Sequence, residues 1–248
     1  MSLSPEVPSR PGGLRVAALG DLHVGEDSVR PYRELFTRIS NEADVLVLCG
    51  DLTNFGKTPE VEILAEDLSA LSIPVMGVLG NHDYECGQPQ EVARILHQAG
   101  MQLLDGDAYE VGGVGFAGAK GFIGGFGRNM LSAFGEDAIK HFVQASVDEN
   151  LKLESSLRML RTERTVVVLH YSPIVDTLEG EPPEIFPFLG SARLAETIDR
   201  FEGVQVVFHG HAHRGAYRGA TPRGRPVYNV ARPLLNRDMG LEYTLVTV

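Results

Sequence analysis

Five short stretches of the 248-residue chain share one grammar: an apolar, β-branched run of strand length that stops at Asp, Asn or His. Asp21 and His23 follow the run 15–19 and Gly20, Asp51 follows 44–49 and Gly50, and Asn81, His82 and Asp83 follow 74–79 and Gly80. His170 ends the run 165–169, and His211 and His213 come after 204–209 and Gly210. Side chains at the carboxyl ends of strands leave the sheet and converge on one crevice, where open α/β sheets keep their chemistry. Asp21 and Asp51 bring carboxylates, Asn81 an amide oxygen, and His23, His170, His211 and His213 imidazoles, with His82 left over. That is the donor kit of a metal site, and oxygen and imidazole donors without thiolate suit Mn, Fe, Zn or Co.

The spacing within blocks carries further expectations. In an extended segment side chains alternate with period two, so Asp21-x-His23 and His211-x-His213 each aim two donors to one side. Ions of a two-metal cluster sit only about 3.5–4 Å apart, close enough for one carboxylate to hold both. Asp51, alone in its block, is the expected bridge. Asp21 and Asp51 have a duller role open to them, capping helices, but the helical patterns begin several residues later. His170 taken alone reads as a core histidine, and Asn81 as a turn former. His97, His141 and His209 lie on strand or helix patterns without the block signature and are read as structural.

The elements that must position these residues follow from periodicity. Asp27 or Ser28 can cap a helix to about residue 41, with Val29, Tyr32, Leu35, Phe36 and Ile39 on one face. Pro59 opens a second helix, and a third runs from Pro89 to Ala99, ended by Gly100. Three β-loop-α units in series predict a parallel sheet covered by helices. From Gly100 short strands and tight turns take over: 102–104, 108–111 and 114–117, with Gly112-Gly113 as a two-residue hairpin turn. Gly113, Gly115 and Gly118 spell the dinucleotide-binding G-x-G-x-x-G, but glycine and not helix follows, so that reading is rejected. Segment 120–134, rich in Gly and Phe, reads as a surface loop or a substrate-facing flap. Helix returns over 136–162 as one or two pieces, and again over 191–201. A second, mixed sheet is expected from residues 102–118 and 204–248, packed on the first.

Composition bounds the rest. The length fits one domain over 14–248 behind a loose, Pro- and Gly-rich leader, 1–13. No apolar run approaches the roughly 18 residues needed to cross a bilayer, and the leader has no signal-peptide core. Cys49 and Cys86 make neither a disulfide framework nor a zinc spacing, so a cytoplasmic location is expected, with no membrane partner. The net charge of −11 disfavours a broad footprint on nucleic acid. Two divalent cations would still make the pocket itself positive, because Asp21 and Asp51 cancel only part of their charge.

In this order, D-x-H, G-D, G-N-H-D, H and G-H-x-H resemble the calcineurin-like metallophosphoesterase superfamily, over residues 21–213. The resemblance implies an α/β fold of two mixed sheets packed as a sandwich, flanked by helices in four layers. It also implies a dinuclear centre of divalent or trivalent ions. One metal would be held by Asp21, His23, Asp51 and His213, the other by Asp51, Asn81, His170 and His211. His82 would protonate the leaving group or bind phosphate, with Asp83 orienting its imidazole.

Gly50-Asp51-Leu52-Thr53-Asn54-Phe55-Gly56 lacks the Asp-Arg pair found at this point in the family's protein phosphatases. The chain resembles instead the small bacterial phosphodiesterase and phosphohydrolase branch, so the expected partner is a small-molecule phosphoester. A phosphomonoesterase or pyrophosphohydrolase on the same centre is the alternative, and a non-catalytic scaffold of the same fold stands behind both. The residues leave the oligomeric state open.

Overall fold

The computed structural model describes residues 12–248, so the expected leader lies, except for Gly12 and Gly13, outside the described residues. Strands β1 (Arg15–Leu19), β2 (Val45–Cys49), β3 (Val75–Val78) and β4 (Met101–Leu103) alternate with helices α1 (Arg33–Glu42), α2 (Thr58–Leu68) and α3 (Pro89–Gln98). Then come β5 (Ala108–Val111), β6 (Val114–Gly118), α4 (Asp137–Met159), β7 (Arg164–Val168), the short α5 (Phe186–Leu189) and α6 (Ala192–Ile198). The chain closes with β8 (Val204–His209), β9 (Arg218–Ala220), β10 (Pro226–Asn229) and β11 (Thr244–Thr247).

One sheet runs β11-β1-β2-β3-β4, parallel except for β11; the other runs β5-β6-β7-β8-β10-β9, with β5 and β9 antiparallel at its edges. Period-two alternation explains the layering. Leu46 and Leu48 of β2 face α1 to α3, whereas Val45, Val47 and Cys49 join Phe116, Val166 and Phe208 between the sheets. The far face of the second sheet is covered by Leu153 and Leu157 of α4 and by Leu194 and Ile198 of α6. The inner strands β1, β2, β3, β6 and β7 are buried on both faces, which is why they read as apolar runs. The expected sandwich of two mixed sheets with helices outside is the fold found.

Several boundaries differ from expectation. Residues 101–103 and 244–247 pair with β3 and β1, so they belong to the first sheet, while β7 lies at the centre of the second. Helix α1 begins at Arg33, not near Ser28: Val29 is 87% exposed, and the Ser28 hydroxyl accepts from the Gly25 amide in a local turn. Helix α4 is a single piece of 23 residues. Gly112 and Gly113 have φ of 57° and 78°, the left-handed pair that the hairpin turn requires. Among the described residues no helix is long and apolar enough to cross a membrane.

Candidate metal centre

The parallel strands β1, β2 and β3 of one sheet, and β7 and β8 of the other, end at the same rim of the sandwich. Each passes directly into one of the five blocks. The structure brings Asp21, His23, Asp51, Asn81, His82, His170, His211 and His213 together there, from loops up to 192 residues apart in sequence. Their ligand atoms form three overlapping groups, each within 4.8 Å: Asp21, His23 and His213; His23, Asp51 and His82; and Asp51, His170 and His211. Asp51 and His23 each belong to two of them.

The backbone reaches this geometry differently from the expected extended segments. Asp21, His23, Asp51 and His211 have φ of 58°, 46°, 48° and 70°, in the left-handed region that costs a residue with a Cβ about 1 kcal/mol or more. Hydrogen bonds over-determine those turns. Asp21 N donates to Gly50 O at 2.9 Å and His23 N to Asp51 O at 3.0 Å, and both Asp21 carboxylate oxygens accept from the His211 amide at 3.0 Å. Gly80 and Gly210 have no room for a side chain, since a Cβ would strike the carboxylate of Asp51 at the first and of Asp21 at the second.

The donor atoms are oriented as metal ligands are. His170 is fully buried and its Nδ1 lies 2.9 Å from the Cys49 carbonyl, which can only accept, so Nδ1 carries the proton. Burial holds the His170 pKa well below that of an ordinary histidine, so the ring is neutral and Nε2 presents a lone pair. That lone pair faces Asn81 Oδ1 at 2.9 Å and Asp51 Oδ1 at 3.3 Å. Rotating the amide would point an Asn81 N–H at it but would leave Asp51 facing it with no proton between. A cation resolves the clash. His23 Nε2, buried without a hydrogen-bond partner among the described residues and 4.0 Å from Asp51 Oδ2, is open to the same cation. Burial lowers His23 to about 4 and His211 to about 3, keeping both rings neutral as metal binding demands.

On the other side an imidazole faces a carboxyl group. His213 Nε2 lies 2.8 Å from Asp21 Oδ1, and that bond raises the His213 pKa, while burial pushes Asp21 up to about 6. Cys49 and Cys86 stay out of the centre: burial raises the Cys49 thiol well above its ordinary value, and Cys86 donates to the Gly56 carbonyl. His209, as expected, is structural, with both ring nitrogens engaged by Gly210 O and Thr177 Oγ1 at 2.8 Å.

Asp83 does not orient His82, contrary to expectation. It is fully buried and accepts from the amides of Leu52, Thr53 and Gly80 and from the Thr53 hydroxyl at 2.6 to 3.2 Å, tying the second block to the third. His82 instead sets Nδ1 against Asn54 O at 2.7 Å, with Nε2 3.9 Å from Asp51 Oδ2. Two supports had no signal in sequence. Asn229 donates to Ala212 O at 2.7 Å inside the His211–His213 loop, and the Arg237 guanidinium donates to His213 O at 3.0 Å. Segment 120–134 is pinned along its first half by Gly124 N to Pro187 O and Gly125 N to Gly190 O at 2.9 Å, whereas Phe134 is 87% exposed.

Comparison with known proteins gives this centre a context. The chain is 23% identical over 191 residues to a probable cyclic nucleotide phosphodiesterase of Vesicomyosocius okutanii, covering 74% of this chain and 69% of that protein. It is 24% identical over 213 residues to a 3′,5′-cyclic-nucleotide phosphodiesterase of Nostoc, covering 81% and 72%. The phosphopantetheinyl hydrolase of Mycobacterium tuberculosis shares the fold with a TM-score of 0.67 at 13% identity, over 97% of each chain. A dimetal phosphatase from Danio rerio does so with 0.58 at 13% identity, over 88% of this chain and 87% of that one. Residues 14–215 match the sequence profile of the calcineurin-like phosphoesterases, and the chain belongs to that family.

Proposed function

We propose that this protein is a two-metal phosphoesterase that hydrolyses small-molecule phosphodiesters. The observation that carries the reading is the unprotonated His170 Nε2 turned toward Asp51 Oδ1, with His23 Nε2 beside it, buried and without a hydrogen-bond partner among the described residues. Asp21, His23, Asp51 and His213 would hold one ion, and Asp51, Asn81, His170 and His211 the other, drawn from Mn, Fe, Zn or Co. The chemistry such ions supply is polarisation of phosphoryl oxygens and acidification of a water.

The chain's own residues do the rest. His82 lies half-exposed at the edge of the cluster, where a substrate can reach it. Its Nδ1–H is spent on the Asn54 carbonyl, so a ring carrying a second proton on Nε2 would pass that proton to the departing alkoxide and keep the Nδ1–H. Residues 50–56 lack the Asp-Arg pair of the protein phosphatases, which favours small esters. The names of the two phosphodiesterase relatives favour diesters over monoesters.

The test is a panel of cyclic nucleotides, aryl diesters, aryl monoesters and nucleoside diphosphate esters, assayed on Mn-loaded protein with metal content measured alongside. Diester turnover at least about tenfold above monoester turnover supports the reading. Metal-loaded protein that hydrolyses none of them would sink it.

A further inference from the structure

Beside the metal centre, and not used by it, lies a cavity of about 310 Å³, at the lower end of the roughly 300–1,000 Å³ that ligand pockets occupy. Leu79, Pro89, Ala93, Leu103 and Leu104 give it an apolar wall, and Tyr84, Lys120 and Lys152 line its remaining side. The cavity adjoins the reacting region: Tyr84 sits two residues after His82 on the same short 3-10 turn, His82–Tyr84. Lys120 O accepts from the amides of His170 and Tyr171, and the Tyr171 ring stands 4.5 Å from that of His211.

Lys120 is the feature that asks for an explanation. It is 9% exposed, and its ammonium lies 4.8 to 5.4 Å from the ring centres of Phe122, Tyr171 and Tyr84. Its one hydrogen bond goes to the neighbouring Gly121 carbonyl at 2.8 Å, which leaves donor capacity in a three-donor group. With Lys120 counted, the charged groups at the wall sum to zero. Lys152 is taken up by Asp105 at 2.7 Å and Glu149 at 2.9 Å, and the second Glu149 oxygen accepts from the Gly121 amide. An anionic occupant would meet those carboxylates, and an aliphatic one would leave the Lys120 donors without an acceptor.

We propose that this cavity receives the organic arm of the ester, an uncharged ring bearing a hydrogen-bond acceptor. Lys120 donates to the acceptor, and Ala93 sets the room for the ring. The proposal rests on the phosphoester reading of the adjoining centre. Lys120 and Ala93 are then specificity-determining residues, since neither belongs to the ligand cluster.

The test measures equilibrium binding, not turnover, using calorimetry on Mn-loaded protein with methylphosphonate, phenylphosphonate and 4-carbamoylphenylphosphonate as probes. Wild-type protein should bind phenylphosphonate about tenfold more tightly than methylphosphonate, as burial of one ring predicts. The carbamoyl compound should bind tighter still. Ala93→Phe, and the exposed-rim variant Gln90→Trp, should erase the phenyl advantage while methylphosphonate affinity and metal content stay unchanged. Lys120→Met should erase only the carbamoyl advantage. If methylphosphonate binds but wild-type protein gains nothing from the ring, or both blocking variants keep the gain, the cavity is not the subsite and the metal-centre reading survives. If Lys120→Met keeps the carbamoyl gain, Lys120 is not the donor. If none of the phosphonates binds metal-loaded protein, the phosphoester reading fails and takes the proposal with it.

Discussion

His82 places its Nδ1 2.7 Å from the main-chain carbonyl of Asn54. A carbonyl can only accept, so this contact fixes the tautomer and turns Nε2 toward the metal cluster. The orienting group therefore comes from the Asp51 loop and not from the adjacent Asp83, whose carboxylate is consumed in holding two loops together.

A first expectation follows for catalysis. His82→Ala should lower kcat about 100- to 10,000-fold on esters with poor leaving groups and far less on p-nitrophenyl esters, whose leaving oxygen needs no proton. Two equivalents of metal should remain. Elemental analysis decides the role of the ring: loss of an ion in the variant would move His82 from proton donor to ligand, a position its 3.9 Å approach to Asp51 permits.

Glycine sets the second. At Gly80 and Gly210 an added Cβ would overlap the Asp51 and Asp21 carboxylates, so Gly80→Ala or Gly210→Ala must displace a ligand. A displacement of about 1 Å costs on the order of 100-fold in rate. Both variants should lose activity on that scale and bind Mn more weakly. Gly25→Ala, where φ is not positive and the added Cβ meets only Ser28 Oγ at 3.9 Å, is the control for the general cost of replacing a loop glycine. Equal metal affinity in Gly80→Ala and wild-type protein would contradict the account.

Acid sensitivity is the third. Burial lowers His23 to about 4 and His211 to about 3, and holds His170 well below its ordinary value of about 6.5. A group with a depressed folded pKa contributes stability above its unfolded pKa and loses it as pH falls. The unfolded chain takes up these protons below about pH 6.5, while the folded chain does so only near pH 3–4 for His23 and His211. Asp21 and Asp83, both raised to about 6, and Asp67 and His213, also raised, act in the opposite direction and offset part of the loss from His23, His170, His211 and His209, the last lowered to about 4. The thermal midpoint of chelator-treated protein should therefore fall between pH 7 and pH 4. Metal-loaded protein should release its ions over the same interval, because proton and cation compete for one lone pair. A flat midpoint across that range would show that these rings titrate normally.

What could be read in the sequence, and what could not, has a physical pattern. The strand ends were legible because a buried parallel strand is an apolar run, and a ligand that ends such a run interrupts it with a polar residue, as at Leu19-Gly20-Asp21 or Leu169-His170. Sheet membership was not, since residues 101–103 and 244–247 carry the same alternation as strands of either sheet, and only pairing assigns them. Positive φ at Asp21, His23, Asp51 and His211 left no trace either, because these turns are held by distant backbone amides and not by local turn residues. Asp83 was misread because sequence adjacency to His82 suggested a contact that the short 3-10 turn directs elsewhere.

Asn229, at the end of β10, supplies the last prediction, and it is the position that sequence reasoning passed over. Its side chain is fully buried, donating to Ala212 O at 2.7 Å and accepting from Ala231 N at 3.1 Å. Ala212 lies between His211 and His213, so this amide holds the loop that carries two donors without touching either. Asn229→Ala would leave the Ala231 amide unpaired and the Ala212 carbonyl with the Gly215 amide alone, a cost of about 1–3 kcal/mol. Metal affinity should drop about 10- to 100-fold, as it does when groups supporting a ligand are removed. Denaturant unfolding of the apo protein measures the first effect and Mn titration the second. Loss of stability with unaltered metal affinity would mean that Asn229 braces the sheet and leaves the His211–His213 loop to the Arg237 contact.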